Sequence, residues 1–350
     1  MSVFSSGNFS DHESVHFFND ASSGLQAIIA VHNTARGPAA GGTRFWRYNS
    51  HQDAVDDVLN LSRAMSFKNA MANIPFGGGK AVILKPEGAF DRKALFEAYG
   101  RAVESLNGIY CTAEDVGVSP ADMEIVSTQT RFVGGLNNGK AASGDPSPIT
   151  AEGVFRGLKV AMKHKMGSMN FKDVRVAVQG LGHVGYSLCQ KLHAAGADLI
   201  VTDINEAVLE RAKSELEAEV THPNDIYQSD VDIFAPCALG GAINPDTLDQ
   251  IKAPIIGGAA NNQLVTVEMG AALRAREILY CPDYVINGGG IINVAAELSG
   301  HYDPAWVDNK LDELSSTLEE IIVKAEKEGQ PTNIIADRLA MDRIQQATVS

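Results

Sequence analysis

Three side chains stand out for the chemistry they could do. Lys68 lies three residues after Met65 and seven after Leu61, so helical geometry sets it on an apolar stripe. An ammonium buried without a partner is costly, so a lysine there either reaches to water along its stem or awaits an anion. Lys80 follows Pro75-Phe-Gly-Gly-Gly79 and opens the apolar run Ala81-Val-Ile-Leu84. Three glycines clear side chains from around one lysine, so that a ligand or a second backbone can come close. A lysine in a tight, partly dry pocket can serve as acid or base near neutral pH, whereas one in a surface loop is merely solvated. Asp115, in Ala113-Glu-Asp-Val-Gly117, is either the partner of such a lysine or a turn former.

A second chemistry is written at Gly180-Leu181-Gly182-His183-Val184-Gly185, between a strand expected at 174–179 and a helix expected at 183–195. In that context Gly180 permits a tight turn, Gly182 lets a pyrophosphate approach the backbone, and Gly185 lets the helix pack on the strand. The free N–H groups and positive end of the helix face the anion. The next strand ends in Asp203, close to the spacing of about 20 residues at which an acid bonds the ribose hydroxyls. A carboxylate there repels a 2′-phosphate and favours NAD over NADP. The alternative is a tight turn and an Asp203 that caps a helix, and the cradle alone leaves flavin against nicotinamide open.

These groups need elements to hold them. Branched residues at 25–32 read as a strand, apolar positions at helical spacing make 52–71 a helix, and 81–84 and 109–112 read as strands around a helix at 92–106. Gly, Ser and Pro cluster at 140–150 and mark a crossing between domains. Beyond it, strands at 174–179, 198–202, 232–235, 254–257 and 278–281 alternate with helices, the pattern of a parallel sheet covered on both faces. A charged helix at 303–328 and a last helix at 333–346 close the chain, the last returning to the first domain. The expected fold is α/β with two domains: 1–145 plus the C-terminal helix 331–350, and a doubly wound nucleotide-binding domain at 146–330.

The 350 residues suit two domains, and 45% hydrophobic with 21% charged residues suits a folded chain. With 29 Lys+Arg against 43 Asp+Glu the formal charge is −14, which argues against nucleic acid and anionic membrane surfaces as partners. No apolar run approaches the roughly 20 residues of a membrane span, and the polar start has no leader-like pattern. Cys111, Cys189, Cys237 and Cys281 are too scattered for a disulfide framework or a metal knot, so they read as reduced, buried thiols of a cytoplasmic protein with no metal site.

Taken in order, several stretches resemble the Glu/Leu/Phe/Val amino-acid dehydrogenase family, with the strongest likeness to its leucine-specific members. They are Gly37-Pro-Ala-Ala-Gly-Gly-Thr-Arg44, Ser66-Phe-Lys-Asn69, Pro75-Phe-Gly-Gly-Gly-Lys80, Thr112-Ala-Glu-Asp-Val-Gly117, Ser143-Gly-Asp-Pro-Ser-Pro148, the glycine cradle, Val201-Thr-Asp-Ile-Asn205, Ala259-Ala-Asn-Asn-Gln263 and Asp283-Tyr-Val-Ile-Asn-Gly-Gly289. The resemblance implies a substrate and oligomerisation domain at the N-terminus, an NAD-binding Rossmann domain after it, and an active cleft between them. It implies that Lys68 holds the substrate α-carboxylate, that Lys80 is general base and acid through a water, and that Asp115 shuttles protons to the amino group. Gly42 and Asn262 would contact substrate, while Asn261 and Thr150 would lie near the nicotinamide.

The implied reaction is NAD-dependent oxidative deamination of an L-amino acid to a 2-oxo acid and ammonia. Glutamate-specific relatives carry a lysine immediately before the Gly-Gly of the first motif, and here that position is Ala40. A side-chain pocket of Ala40, Ala113, Ile291 and Val294 is apolar and favours leucine, valine and isoleucine, as in branched-chain catabolism. Ala40 is smaller than the leucine of many leucine-specific relatives, which keeps phenylalanine and other aromatic substrates open. A methylene is worth only about 1–3 kcal/mol in such a pocket, so specificity should be broad. An NAD-binding regulator without turnover is the alternative of another class, and the intact set Lys68, Lys80 and Asp115 speaks against it. Family resemblance implies a homo-oligomer, dimer or octamer, and the short tail after Arg343 leans toward the smaller.

Overall fold

The structure, a computed structural model, describes residues 3–136, 144–300 and 302–349. It divides the chain into two units: Met1–Pro146 with Ile291–Val307 and Ala340–Ser350, and Ser147–Gly290 with Asp308–Leu339. The start of the glycine- and proline-rich crossing, including Ser143 of its motif, lies outside the described residues.

The first unit is built on five strands: β1 (Ser14–Asp20), β2 (Leu25–Asn33), β3 (Ala39–Trp46), β4 (Gly77–Leu84) and β5 (Tyr110–Glu114). Their order across the sheet is β1-β2-β4-β3-β5; β2 is antiparallel to β1 and β4, while β3 runs parallel to β4 and β5. Strand side chains alternate, and both faces of the centre are covered. Ile28, Ala30 and Val82 meet Val55, Val58 and Leu59 of α1 (His51–Met71), whereas Ala27, Ile29, Ala81 and Ile83 meet Leu95, Phe96 and Tyr99 of α2 (Arg92–Ser105). Burial on both faces is why β2 reads as a continuous apolar run rather than an alternating one. Ser50 and Asp53 form a capping box that starts α1, and Asp91 caps α2. A short helix, α3 (Pro120–Ser127), follows β5.

The second unit opens with α4 (Ser147–Met166) and carries six strands: β6 (Arg175–Gln179), β7 (Asp198–Thr202), β8 (Glu219–Val220), β9 (Ile233–Pro236), β10 (Ile255–Ile256) and β11 (Leu279–Tyr280). The order is β11-β10-β9-β6-β7-β8 and every pairing is parallel. The chain thus runs outward from β6 to one edge and returns to build the other half from β9, a doubly wound sheet whose winding reverses between β6 and β9. Helix α5 (His183–Ala194) joins β6 to β7, and α6 (Glu206–Leu216) joins β7 to β8.

Two stretches fall elsewhere than the expected domain limits. Ile291–Val307, expected with the nucleotide-binding part, belongs to the first unit, where the buried Glu297 carboxylate accepts the N–H groups of Gly135 and Leu136 at 2.8 and 2.9 Å. The start of the final helix, expected with the first part, belongs to the second: Thr332 donates to the Tyr280 carbonyl, and Asp337 accepts from the Tyr284 hydroxyl. Its far end is held in the first unit by Arg343, which donates to the carbonyls of Ala70 and Met71.

Candidate functional site

Lys80 sits in the middle of β4, opposite Ala30 of β2, and is only 6% exposed. It is a strand residue in a buried sheet, not part of a solvated loop. The glycines before it are explained by the second of the two expectations, close approach of protein backbone. A Cβ on Gly77 would fall 2.0 Å from the Asn33 carbonyl oxygen, and one on Gly78 would fall 2.1 Å from the Ser66 amide nitrogen. Helix α1 therefore lies directly on this part of the sheet. From its last turn Asn69, fully buried, donates to the carbonyls of Ala40 and Gly77 at 3.2 and 2.5 Å. Lys68, its neighbour on α1, is half-buried.

The Lys80 ammonium meets the Asp115 carboxylate at 2.6 Å. Asp115 also makes the turn its sequence suggested, since its carbonyl accepts the Val118 N–H. Burial presses its carboxyl upward, but the Lys80 ammonium, followed by the Arg44 guanidinium, outweighs this and holds it down at about 2. The register gives the pair its neighbours. Ala40 pairs with Gly78 and Gly42 with Ala113, and residues two apart share a face, so Ala40, Gly42, Gly78, Lys80 and Ala113 line one side of the sheet. Ala40 and Ala113 are buried. Gly42 has a packing reason as well: its Cβ would lie 2.4 Å from the Glu114 carbonyl oxygen and 3.0 Å from the Asp115 Cβ. Ile291 and Val294 lie one turn apart on the helix Gly289–Leu298, and Val294 packs on Gly134.

Arg44, Asp57 and Tyr48 were not singled out from the sequence. Arg44 donates to both oxygens of Asp57 at 3.0 and 2.9 Å, and its Nε stands 3.5 Å from Asp115. Tyr48 donates to Asp57 at 2.6 Å. The signal was present for Arg44, which ends the first glycine motif, but no spacing rule reaches Asp57 thirteen positions later on a helix.

In the second unit, Gly180 follows β6 with φ +97°, a conformation glycine adopts without strain, and a Cβ there would strike Ala238 at 2.7 Å. A Cβ on Gly185 would lie 2.0 Å from the Gly180 carbonyl oxygen, so α5 packs against the turn itself. Around Gly182, by contrast, a Cβ would meet no atom within 4 Å beyond the adjoining chain, and it starts α5 with no side-chain cap. That is the arrangement a pyrophosphate needs: tight where protein meets protein, open where backbone N–H groups must meet an anion. Leu181, His183 and Val184 fill the intervening positions of turn and helix start. Asp203, directly after β7, accepts the N–H of Leu181 at 2.6 Å and of Asn205 at 2.8 Å; Asn205, not Asp203, caps α6.

The same edge of the sheet brings in the asparagines. A Cβ on Gly240, beyond β9, would lie 2.9 Å from the Asn261 carbonyl oxygen and 3.0 Å from that of Asn262. Asn262 has φ +52° and its carbonyl accepts the Gly241 N–H at 2.7 Å. The Asn261 side chain accepts from Asn287 at 2.7 Å. Thr150, in the first turn of α4, lies against Gly289, whose Cβ would be 3.1 Å from the Thr150 Cα. All four cysteines are free thiols, three of them buried. No group of three or more potential metal ligands occurs among the described residues.

Comparison with known proteins shows the family of the chain. Residues 12–132 match the family model for the Glu/Leu/Phe/Val dehydrogenase dimerisation domain, and residues 201–350 that for glutamate/leucine/phenylalanine/valine dehydrogenase. The leucine dehydrogenase of Geobacillus stearothermophilus is 48% identical over 345 residues, spanning 99% of this chain and 94% of that one. The valine dehydrogenase of Streptomyces coelicolor is 43% identical, over 96% of this chain and 93% of its own. The crystal structure of L-tryptophan dehydrogenase from Nostoc punctiforme superposes with a TM-score of 0.86 at 43% identity, covering 97% of this chain and 98% of that one. With its motifs in order and both domain models matched, the chain belongs to the Glu/Leu/Phe/Val dehydrogenase family of amino-acid dehydrogenases.

Proposed function

We propose that this amino-acid dehydrogenase carries out reversible, NAD-dependent oxidative deamination of leucine, valine, isoleucine and related apolar L-amino acids to 2-oxo acids and ammonia. The observation that supports it most is the pairing at 2.6 Å of buried Lys80 with half-buried Asp115, beside a sheet face that also carries Ala40, Gly42, Gly78 and Ala113. Alanines at 40 and 113 would offer nothing to a distal carboxylate and would accommodate a hydrocarbon side chain.

The glycine cradle fits a dinucleotide: Gly180, Leu181, Gly182, His183, Val184 and Gly185 would hold the pyrophosphate, Asp203 the adenosine ribose, and Thr150 and Asn261 the nicotinamide end. The Asp203 carboxylate supports NAD over NADP. When bound, NAD supplies the acceptor for the hydride leaving the amino-acid Cα.

On the substrate side, Lys68 would bind the α-carboxylate and Asn262 would orient the amino acid. Loss of hydride from a neutral α-amine leaves an iminium ion. Lys80, acting as a neutral amine, takes a proton from a water as the water oxygen adds to the iminium carbon, giving a carbinolamine. That proton returns through Asp115 to the nitrogen, and the carbinolamine hydroxyl gives its own proton to Lys80 as the C–N bond breaks, releasing ammonia and the 2-oxo acid. The match of residues 12–132 to a dimerisation domain supports a homo-oligomer, dimer or octamer. Four free thiols support the cytoplasm as its location.

A second reading, an aromatic amino-acid dehydrogenase, is favoured by the likeness to L-tryptophan dehydrogenase and by the small side chain at Ala40. Relative kcat/KM for leucine, valine, phenylalanine and tryptophan with NAD separates the two: a preference for leucine or valine supports the first, a preference for phenylalanine or tryptophan the second.

A further inference from the structure

We propose that Arg44, anchored by Asp57 and Tyr48, is a positioning residue that sets the Asp115 carboxylate for proton exchange with Lys80. The inference rests on the acid–base roles given to Lys80 and Asp115 in the preceding reading.

Two cations converge on one oxygen. Lys80 Nζ lies 2.6 Å and Arg44 Nε 3.5 Å from the same Asp115 Oδ2. The first is a short charge-assisted contact, while the second is too long for a good hydrogen bond. A guanidinium free to turn would present its fork to the carboxylate and take both oxygens, drawing them from Lys80. Asp57 prevents this. It engages Arg44 Nη1 through both of its own oxygens, at 3.0 and 2.9 Å, and so holds the guanidinium toward α1. Tyr48 donates to Asp57 Oδ2 and fixes the carboxylate in turn. Burial and the neighbouring Asp57 push the Tyr48 phenol well above its ordinary range, so it remains a donor throughout the working pH.

The result is a chain of five groups, Tyr48, Asp57, Arg44, Asp115 and Lys80, with two cations against two anions. The side chains of Arg44, Asp57 and Asp115 are each about a quarter exposed, at 25%, 24% and 26%. In such a setting Arg44 keeps Asp115 ionised by its charge without taking the oxygen Lys80 needs. Three of the five lie on β3, the following connection and the second turn of α1, so the bracket comes from one continuous piece of chain.

The test uses the full-length protein as wild type, Arg44→Ala, Asp57→Asn and the double variant, with kcat and KM for an apolar L-amino acid, KM for NAD, and a pH profile of kcat for each. Each single change should lower kcat about 10- to 100-fold, the scale of a misplaced reacting group, with either KM moved by about twofold at most. If Asp57 acts through Arg44, the double variant should be no slower than Arg44→Ala. Guanidinium ion added to the buffer should restore part of the activity of Arg44→Ala and none to Lys80→Ala. Should Arg44→Ala fail to fold, Asp57→Asn and Tyr48→Phe carry the test, with a smaller kcat loss expected for the phenylalanine. A wild-type kcat in Asp57→Asn, losses that multiply in the double variant, or losses confined to KM would overturn the proposal. If the wild type itself turns over no apolar amino acid, the function reading fails, and this one with it. An active wild type and inactive Lys80→Ala beside unimpaired Arg44 and Asp57 variants would reject the positioning role alone.

Discussion

Lys80 and Asp115 touch although β3 runs between β4, which carries Lys80, and β5, which ends one residue before Asp115. The sheet order places β4 and β5 on either side of β3, and the contact passes over Gly42. A side chain at position 42 would stand 3.0 Å from the Asp115 Cβ and 2.4 Å from the Glu114 carbonyl oxygen. Gly42→Ala must therefore push the end of β5 away. Overpacking of this kind costs about 1–3 kcal/mol, and a displaced acid–base pair lowers kcat by roughly a hundredfold. Urea unfolding and steady-state kinetics on the one variant check both halves; a fully active, equally stable Gly42→Ala would mean that the pair needs no such clearance.

The depressed Asp115 carboxyl makes a statement about acid stability. Its folded pKa of about 2 lies below the ordinary unfolded value near 4, so the unfolded chain takes up a proton first as pH falls. The stabilisation is complete above about pH 4 and disappears as pH drops through 2. About two pKa units correspond to roughly 2–3 kcal/mol. Asp115→Asn should be less stable than wild type at neutral pH and lose less on acidification across that window. Parallel pH slopes of unfolding free energy in the two proteins would contradict the assignment.

The cradle predicts a split between two glycines three residues apart. Gly182 faces open space and Gly185 faces the Gly180 carbonyl. Gly182→Ala should leave unfolding free energy within about 0.5 kcal/mol of wild type while weakening NAD at least severalfold. Gly185→Ala should cost about 1–3 kcal/mol in stability, because helix and turn must separate. Calorimetric titration with NAD and thermal unfolding measure the two effects independently.

On the proposed reading, Asp203 sets the choice of cofactor. Replacing it by serine removes the charge that repels a 2′-phosphate, and the ratio of kcat/KM with NADP to that with NAD should rise by about tenfold, worth roughly 1.4 kcal/mol. Affinity for NAD should fall as well, since Asp203 also orders the Leu181 amide. An unchanged ratio would show that selectivity is set elsewhere.

What could be read from the sequence was what depends on neighbours along the chain. The turn at Gly180 and the strand ending at Thr202 were legible because strand, glycines and helix follow one another locally. The Asx and Ser caps of α1 and α2 likewise agree with the helices read there. β3 was missed because Gly41, Gly42 and the proline before it look like a turn. Their reason lies in distant chain: a Cβ on Gly41 would meet the Gly79 carbonyl oxygen at 1.9 Å, and Tyr110 donates to the Gly41 carbonyl at 2.6 Å. The same holds for the candidate site. Lys80 and Asp115 could be suspected as partners, but the Arg44–Asp57 bracket depends on how far α1 reaches over the sheet, which no local pattern encodes.

Whether the Lys80–Asp115 pair serves deamination of apolar amino acids is decided by following reduced cofactor when wild type and Lys80→Ala are mixed with NAD and leucine, valine, isoleucine, phenylalanine or tryptophan at alkaline pH. The wild type should form reduced cofactor with at least one of them, fastest with leucine or valine, and Lys80→Ala should be slower by about 10²- to 10⁴-fold while still binding NAD. NAD binding with no turnover of any of the five by the wild type, or undiminished turnover by Lys80→Ala, would contradict it.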